Sequence, residues 1–331
     1  MKQPSLSILM NNYNDAKVMK RQLDSVFEQS ELLHEVIIVD DGSTDNSMEI
    51  FNEYKVKYPK LRIVENGQNK GIMYSANMGL ELATGDFIYW AAMDDWIQPG
   101  FVKGILSALS LYPDVNLCCF DSAVFDDGSD EIQVNRLLPV EKVLKFSSEE
   151  IADVILEKDF IIVGHASVVR REAMLKAGGL LPELKWYCDW FAQYVVAFRG
   201  SVSYIPKALT ALRLDPKSYS GSINNASGEK QTVIYQMMKY LFSEKYKDAI
   251  PFFTRSQLFF KVFGRQALRV IRKNKEFKQL VVKGSAQIIW MNSIKSSLGC
   301  ICPSWLKSFL KSLRTKIRVL KFNRNLLKKG I

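Results

Sequence analysis

The sequence predicts an α/β fold, with a mostly parallel open sheet flanked by helices. Three observations carry that expectation. Short apolar runs rich in β-branched and aromatic residues alternate with helix-length segments through the first 120 residues. Each helical segment is long enough to return the chain for another parallel strand. Polar residues, many of them acidic, stand just past the strand-like runs, and ligands of open α/β sheets bind at that edge.

Residues 6–10 form the first apolar run, followed by Asn, Tyr and Asp. Residues 16–29 carry Val18, Leu23, Val26 and Phe27 at roughly helical spacing. The β-branched run 36–39 stops at Asp40, and residues 44–58 read as a helix with Ser43 or Thr44 as its N-cap. Residues 61–64 are strand-like, 72–83 helical and 87–91 strand-like again, and Pro99 suits the first turn of a helix reaching Leu111. Residues 115–120 form another buried strand, and the acidic stretch 125–130 reads as a hairpin turn or loop insertion. Residues 149–158 read as a helix, 167–170 as a strand feeding a helix that ends at Gly178 and Gly179, and 189–199 as a helix bearing Trp190, Phe191 and Tyr194. Residues 203–205 and 209–214 look like edge strands. The Ser-, Asn- and Gly-rich stretch 218–228 is the best linker. The expected division is a catalytic domain over residues 1–220 and a basic helical region over 221–331.

Charge supports that division. Residues 1–225 hold 22 Lys+Arg against 31 Asp+Glu, whereas residues 226–331 hold 23 against 4. Such different charge densities imply different jobs. The 47% hydrophobic content is ample for a packed core and excludes wholesale disorder. Five sparsely spaced cysteines form no disulfide framework, and the Cys300, Cys302 pair lacks the second ligand pair of a structural zinc site. The opening MKQPSLSILMNNYND reads as a strand and not as a signal peptide, and no apolar stretch reaches the length of a spanning helix. A cytoplasmic, reducing location is the expectation.

The acidic loops suggest chemistry. Asp40 and Asp41 lie in VDDGSTDNS. A carboxylate past a strand end can accept a hydrogen bond from an imide N–H such as that of uracil or thymine, and Gly42 allows close approach. Helix capping is the competing explanation. Asp94 and Asp95 follow a strand-like run in FIYWAAMDDW. Adjacent carboxylates repel unless a cation sits beside them, and oxygen ligands suit Mg²⁺ or Mn²⁺, which could neutralise a diphosphate leaving group. Asp189, in WYCDWFAQ, has the surroundings of a general base, with N-capping as the alternative.

These segments together resemble the family 2 inverting glycosyltransferases of GT-A fold. The matching pieces run from Ser5 to Arg213: SILMNNYND, VIIVDDGSTDNS, NKGIMYSANMGLELATGDFI, MDDW, VVRREAMLKAGGL, CDWF and ALRL. The resemblance implies a GT-A, Rossmann-like sheet. It implies that Tyr13 flanks the nucleobase, that Asp41 contacts it with Asp40 in support, and that Gly71 and Asn77 lie near the donor nucleotide. Asp94 and Asp95 match the D-x-D region, with Asp95 the favoured metal contact, for Mn²⁺ or Mg²⁺. Asp189 matches the catalytic base. His165 and Trp190 fall where acceptor contacts are expected. Two departures stand out: Ala92 occupies a position where many members carry an additional Asp, and Cys188 stands where many have Glu.

The resemblance does not reach the last hundred residues. SWLKSFLKSLRTKIRVLKFNRNLL, residues 304–327, places Leu306, Phe309, Leu310, Leu313, Ile317 and Leu320 at helical spacing with Lys and Arg between them. Such a helix can lie on an anionic membrane surface or cover the catalytic domain. Nucleic acid is not an expected partner, since no recognition motif is present. The expected function is transfer of a hexosyl or N-acetylhexosaminyl group from a nucleotide-sugar, UDP-linked by preference, to a saccharide or lipid-linked acceptor, at the inner membrane surface and in surface polysaccharide synthesis. Two other classes compete: a non-catalytic, membrane-associated sugar-nucleotide-binding scaffold, and a sugar-phosphate nucleotidyltransferase. The latter would want a Gly-rich basic loop near the N-terminus, and MNNYND is neither.

Overall fold

The computed structural model describes residues 3–126, 131–158, 160–215, 227–282, 284–286 and 288–289. They belong to two compact units. One comprises Met1–Ile151 with Phe160–Ala249, the other Ala152–Asp159 with Ile250–Ile331.

The first unit opens with β1 (Leu6–Asn12), α1 (Met19–Phe27), β2 (Glu35–Asp40), α2 (Ser47–Lys57), β3 (Leu61–Glu65), α3 (Ile72–Leu82) and β4 (Phe87–Ala92). The four strands are parallel, in the order β3-β2-β1-β4. Their interiors are apolar because both faces are covered: Ile8, Met10, Val36, Ile38, Phe87 and Tyr89 are all buried. On α1, Met19, Leu23, Val26 and Phe27 are buried, a spacing that turns one helical stripe to the core. Each such side chain contributes on the order of 1.5–3 kcal/mol relative to exposure.

After β4 come β5 (Trp96–Ile97), α4 (Phe101–Leu111), β6 (Val115–Asp126), β7 (Ile132–Asn135), β8 (Leu144–Phe146) and α5 (Ser148–Glu157), whose second half lies in the other unit. Then follow β9 (Ser167–Arg170), α6 (Arg171–Ala177), α7 (Cys188–Phe198), β10 (Ser201–Ala208), β11 (Thr210–Leu214) and α8 (Ser227–Leu241). The sheet continues past β4 as β9-β6-β10-β8. β9 is antiparallel to both β4 and β6, so it reverses the sheet locally. β11 runs parallel to the far end of β6 and antiparallel to β5. This is the mixed α/β, Rossmann-like sheet flanked by helices that the sequence predicts.

Several local expectations change. Residues 125–126 are not a turn: they complete β6, with Phe125 buried against Ala123 and Ala211, while 127–130 lie outside the described residues. β10 is no edge strand, because it pairs with β6 on one side and β8 on the other. Neither Ser43 nor Thr44 caps α2, which begins at Ser47; the Ser43 hydroxyl donates to Asp40 instead. The proposed linker, 218–228, lies outside the described residues up to 226. The first unit extends to Ala249, beyond residue 220, because α8 and the segment after it pack within it. Lys185 pairs with Glu229 at 2.9 Å, and Tyr246 donates to the Ala177 carbonyl at 2.8 Å.

The second unit contains α9 (Ile250–Ser256), α10 (Leu258–Phe263) and α11 (Arg265–Lys273). Phe253, Phe259 and Phe263 form its aromatic centre, with centroids 5.4 and 6.0 Å apart along the row. Arg255 grips Asp153 through two bonds of 2.6 and 2.7 Å. Cys300, Cys302 and the amphipathic stretch 304–327 lie outside the described residues. Among the described residues, no helix is long and apolar enough to cross a membrane.

Candidate active site

Parallel strands bring the ends of β1, β2, β3 and β4 to one edge. The first corner is built from β1 and β2. Asp40, buried at the end of β2, accepts hydrogen bonds from Asn12 Nδ2 (2.7 Å), the Gly42 and Ser43 amides (3.1 and 2.9 Å) and the Ser43 hydroxyl (2.6 Å). It holds the loop's shape. Asn14, with φ of 60°, accepts from the Thr44 amide at 2.8 Å and stitches the β1 and β2 loops together. Tyr13 stands on that loop, 47% exposed, with its ring available to a ligand.

Asp41 reaches across to the loop after β3. Its carboxylate accepts from Asn66 Nδ2 (2.7 Å) and from the Lys70 and Gly71 amides (2.8 Å each). Burial pushes its carboxyl up, but these donors outweigh it and hold the group below the usual carboxylate range. Gly42 makes the approach possible: with φ of 79°, its notional Cβ would fall 2.6 Å from the Gln68 carbonyl carbon. Gly71, with φ of 92°, stands immediately before α3.

Asn77 does not present a spare amide to the site. Its Nδ2 donates to the Leu180 carbonyl and its Oδ1 accepts from the Leu180 amide, both at 2.8 Å. It clamps α3 to the segment between α6 and α7. Beside α3 runs a groove of about 590 Å³ lined by Lys70, Ile72, Tyr74, Met78, Glu81 and Pro182, among others. That groove does not include Asp94, Asp95 or Asp189.

The second corner follows β4. Asp95 is buried and its Oδ1 accepts from the Arg213 amide at 3.0 Å. Burial first, and then the Asp94 charge, push its carboxyl up to about 8. Burial also raises Asp94, whose carboxylate lies 3.8 Å from the Arg213 guanidinium. Asp15 is raised to about 6, chiefly by burial and further by Asp94. Arg213 also lies 3.8 Å from Asp215. Sequence reading assigns no role to Arg213, Asp15 or Asp215, although Asp15 ends the SILMNNYND piece and Arg213 lies in ALRL, which β11 carries to this corner. Asp94 and Asp95 are the residues that would hold a divalent cation, since a nearby positive charge favours the ionised form of a carboxyl that burial has made hard to ionise. Among the described residues there is no group of three or more His, Cys, Asp or Glu able to hold a metal.

The third corner is the start of α7. Asp189 lies in the first turn of α7 and its Oδ1 accepts from the Trp190 amide at 2.7 Å, but the N-cap residue is Tyr187, so Asp189 is not the cap that its spacing suggests. Burial raises its carboxyl above the usual range. Its other oxygen faces Gly164. His165 follows Gly164, with Nε2 2.9 Å from the Ser122 hydroxyl, and burial lowers its imidazole to about 4. Trp190 is buried between Tyr187 and Tyr194, centroids 6.5 and 5.0 Å away, and is packed inside the fold. Cys188 is buried too, with Sγ 3.0 Å from Met73 Sδ.

The sheet order, the helices on its faces and the acids at its strand ends define the class of GT-A nucleotide-sugar folds. Residues 7–177 match Glycosyl transferase family 2, and the chain belongs to that family. Among curated relatives, EpsH of Bacillus subtilis (strain 168), named as a glycosyltransferase, is 31% identical over 149 residues, covering 44% of this chain and 43% of its own. Chondroitin synthase of Escherichia coli is 33% identical over 116 residues, covering 35% of this chain and 16% of its own. The chain thus spans less than half the length of either relative. S. aureus TarS 1–349 in complex with UDP-GlcNAc shares the fold, with a TM-score of 0.62 at 18% identity over 86% of this chain and 83% of that one.

Proposed function

We propose that this protein is an inverting glycosyltransferase that moves a hexosyl or N-acetylhexosaminyl group from a UDP-sugar to an acceptor hydroxyl. The observation that carries the proposal is Asp189: a carboxyl at a helix start, anchored through one oxygen and raised by burial, as a general base requires. The Asp189 carboxylate takes the proton of the acceptor hydroxyl as its oxygen bonds to the anomeric carbon. The bond from that carbon to the diphosphate breaks on the opposite face, and nucleoside diphosphate leaves with inversion.

Tyr13 flanks the base, and Asp41 offers its remaining lone pair to the imide N–H while the loop at residues 66–71 holds it still. Asp40 and Gly71 shape that loop pair, and Asn77 braces α3. Asp95, with Asp94, would hold Mn²⁺ or Mg²⁺, which when bound supplies positive charge to the leaving diphosphate. His165 stays neutral beside the acceptor side. TarS, crystallised with UDP-GlcNAc, supports a UDP-linked donor. The resemblance to chondroitin synthase supports polysaccharide synthesis as the setting, with a saccharide or lipid-linked acceptor. The basic region from residue 221 would bind the anionic inner face of the plasma membrane and keep the enzyme cytoplasmic and peripheral.

The test is release of nucleoside diphosphate from a panel of nucleotide-sugars with Mn²⁺ and a membrane lipid fraction. A UDP-sugar should turn over, and Asp189→Asn should lower kcat by about 10²–10⁴-fold with UDP affinity unchanged. Absence of turnover with every donor, or a wild-type rate in Asp189→Asn, overturns the proposal.

A further inference from the structure

The oxygen of Asp189 that is not bonded to Trp190 lies against a residue with no side chain. A Cβ built on Gly164 would meet Asp189 Oδ2 at 2.2 Å and Cγ at 3.4 Å, with the Gln193 amide nitrogen next at 3.8 Å. Gly164 is not among the glycines with positive φ. Its backbone would therefore accept alanine. The lack of a side chain is required by the Asp189 carboxyl and not by the turn.

The turn itself is held from several sides. The His165 carbonyl accepts from Tyr89 Oη at 3.0 Å and from Thr210 Oγ1 at 2.5 Å. The His165 ring meets Ser122 at 2.9 Å, and the Ala166 amide donates to the Val163 carbonyl at 3.1 Å. Tyr89 belongs to β4, Ser122 to β6 and Thr210 to β11. β4 leads directly into Asp94 and Asp95, and β11 carries Arg213. The Gly164–Ala166 turn thus bridges the elements of the acidic corner and the carboxyl at the start of α7.

Resting on the reading of Asp189 as the base, we propose that Gly164 is a positioning residue that sets the Asp189 carboxylate for the acceptor hydroxyl, with the Thr210 hydroxyl fixing the turn that carries it. A methyl group at residue 164 must displace the carboxylate, because Asp has too short a stem to withdraw its oxygen alone. Displacement near 1 Å at a reacting group costs on the order of 100-fold in rate.

A double-mutant cycle tests this. Gly164→Ala, Asp189→Asn and their combination are compared for kcat, donor KM, UDP affinity and thermal midpoint, with Thr210→Val treated in the same way. Gly164→Ala should lower kcat about 100-fold while UDP affinity stays at the wild-type value. Added to Asp189→Asn, it should lower the residual rate by less than about 2-fold, since a residue acting through Asp189 has nothing left to position. Thr210→Val should show a smaller loss that vanishes in the same background. A wild-type rate in Gly164→Ala overturns the inference, as does a loss that multiplies with that of Asp189→Asn. If Gly164→Ala does not fold, Thr210→Val carries the cycle, and no loss, or a multiplying one, is then the overturning result. A wild-type rate in Asp189→Asn instead removes the reading of Asp189 as base, so the two failures are distinct.

Discussion

Asp41 gives most of its hydrogen-bonding capacity to its own chain. Three donors from the loop after β3 converge on one carboxylate, so this corner is held together by the chain's own loops. Gly42 is the point where that arrangement is most exposed to mutation. Gly42→Ala would set a methyl against the Gln68 backbone, in a left-handed conformation that alanine avoids. Its expected cost is about 2–3 kcal/mol, read by urea unfolding, together with weaker UDP binding. His165 gives a second prediction. Its folded-state value near 4 lies below the ordinary 6.5. The unfolded chain therefore binds more protons between those limits, and stability rises with pH across that window, by up to about 3 kcal/mol. Unfolding of wild type and His165→Gln at pH 4.5 and 7 should show the smaller pH dependence in the variant. Slopes from Asp15 and Asp95, whose raised values act in the opposite sense, are common to both proteins and cancel in the comparison. At this scale strand-end position points to the pairs Asp40–Asp41 and Asp94–Asp95, and only the family resemblance singles out Asp41 and Asp95. Asp189 looked like a cap by spacing, and only the family resemblance marked it. The family resemblance places Asn77 near the donor, while its bond to Leu180, 103 residues away, has no local pattern to announce it.

Elements with strong patterns were legible. The runs that became β1, β2, β3 and β4 are continuous, apolar and bounded by polar turns, and the helices between them repeat every three to four residues. β5, with two residues, and β7, with mostly exposed ones, carry too little periodicity to be seen. β8 has three residues, and without it β10 looks like an edge. β6 was cut short for a different reason: Asp121 and Asp126 interrupt its apolar run, but Asp121 is buried and bonded to Tyr204 at 2.6 Å, so the strand continues through it. The clamp between α3 and the segment before α7 can be tested at this level. Asn77→Ala removes two hydrogen bonds to Leu180 and should destabilise the first unit by about 1–3 kcal/mol, seen as a lower unfolding midpoint. Asn77→Asp keeps the acceptor for the Leu180 amide but sets a carboxylate oxygen against the Leu180 carbonyl, so its midpoint should also fall below wild type.

Across the whole chain, charge is as uneven as fold. Residues 226–331 carry 23 Lys+Arg against 4 Asp+Glu. If this region meets anionic lipid, each basic residue near the surface contributes about 1 kcal/mol. The full chain should co-sediment with vesicles containing phosphatidylserine at low salt and be released by about 0.5 M salt, where screening is nearly complete. Neutralising Lys307, Lys311, Arg314 and Lys316 to Gln should weaken that binding without changing UDP affinity. The reversed strand β9 has a consequence of another kind. It meets β4 through only two residue pairs, Phe87 with Arg170 and Ile88 with Val169. The residues proposed to hold the nucleotide and metal, from Tyr13 to Asp95, all precede β9 in the chain, the proposed base Asp189 follows it, and Arg213 beside Asp94 follows it too. The stretch of chain between β4 and β9 is thus a natural place for a crossover between family members. A chimera keeping residues 1–111 and taking the remainder from a relative should inherit its donor from one parent and its acceptor from the other, provided the relative supplies an arginine where Arg213 stands.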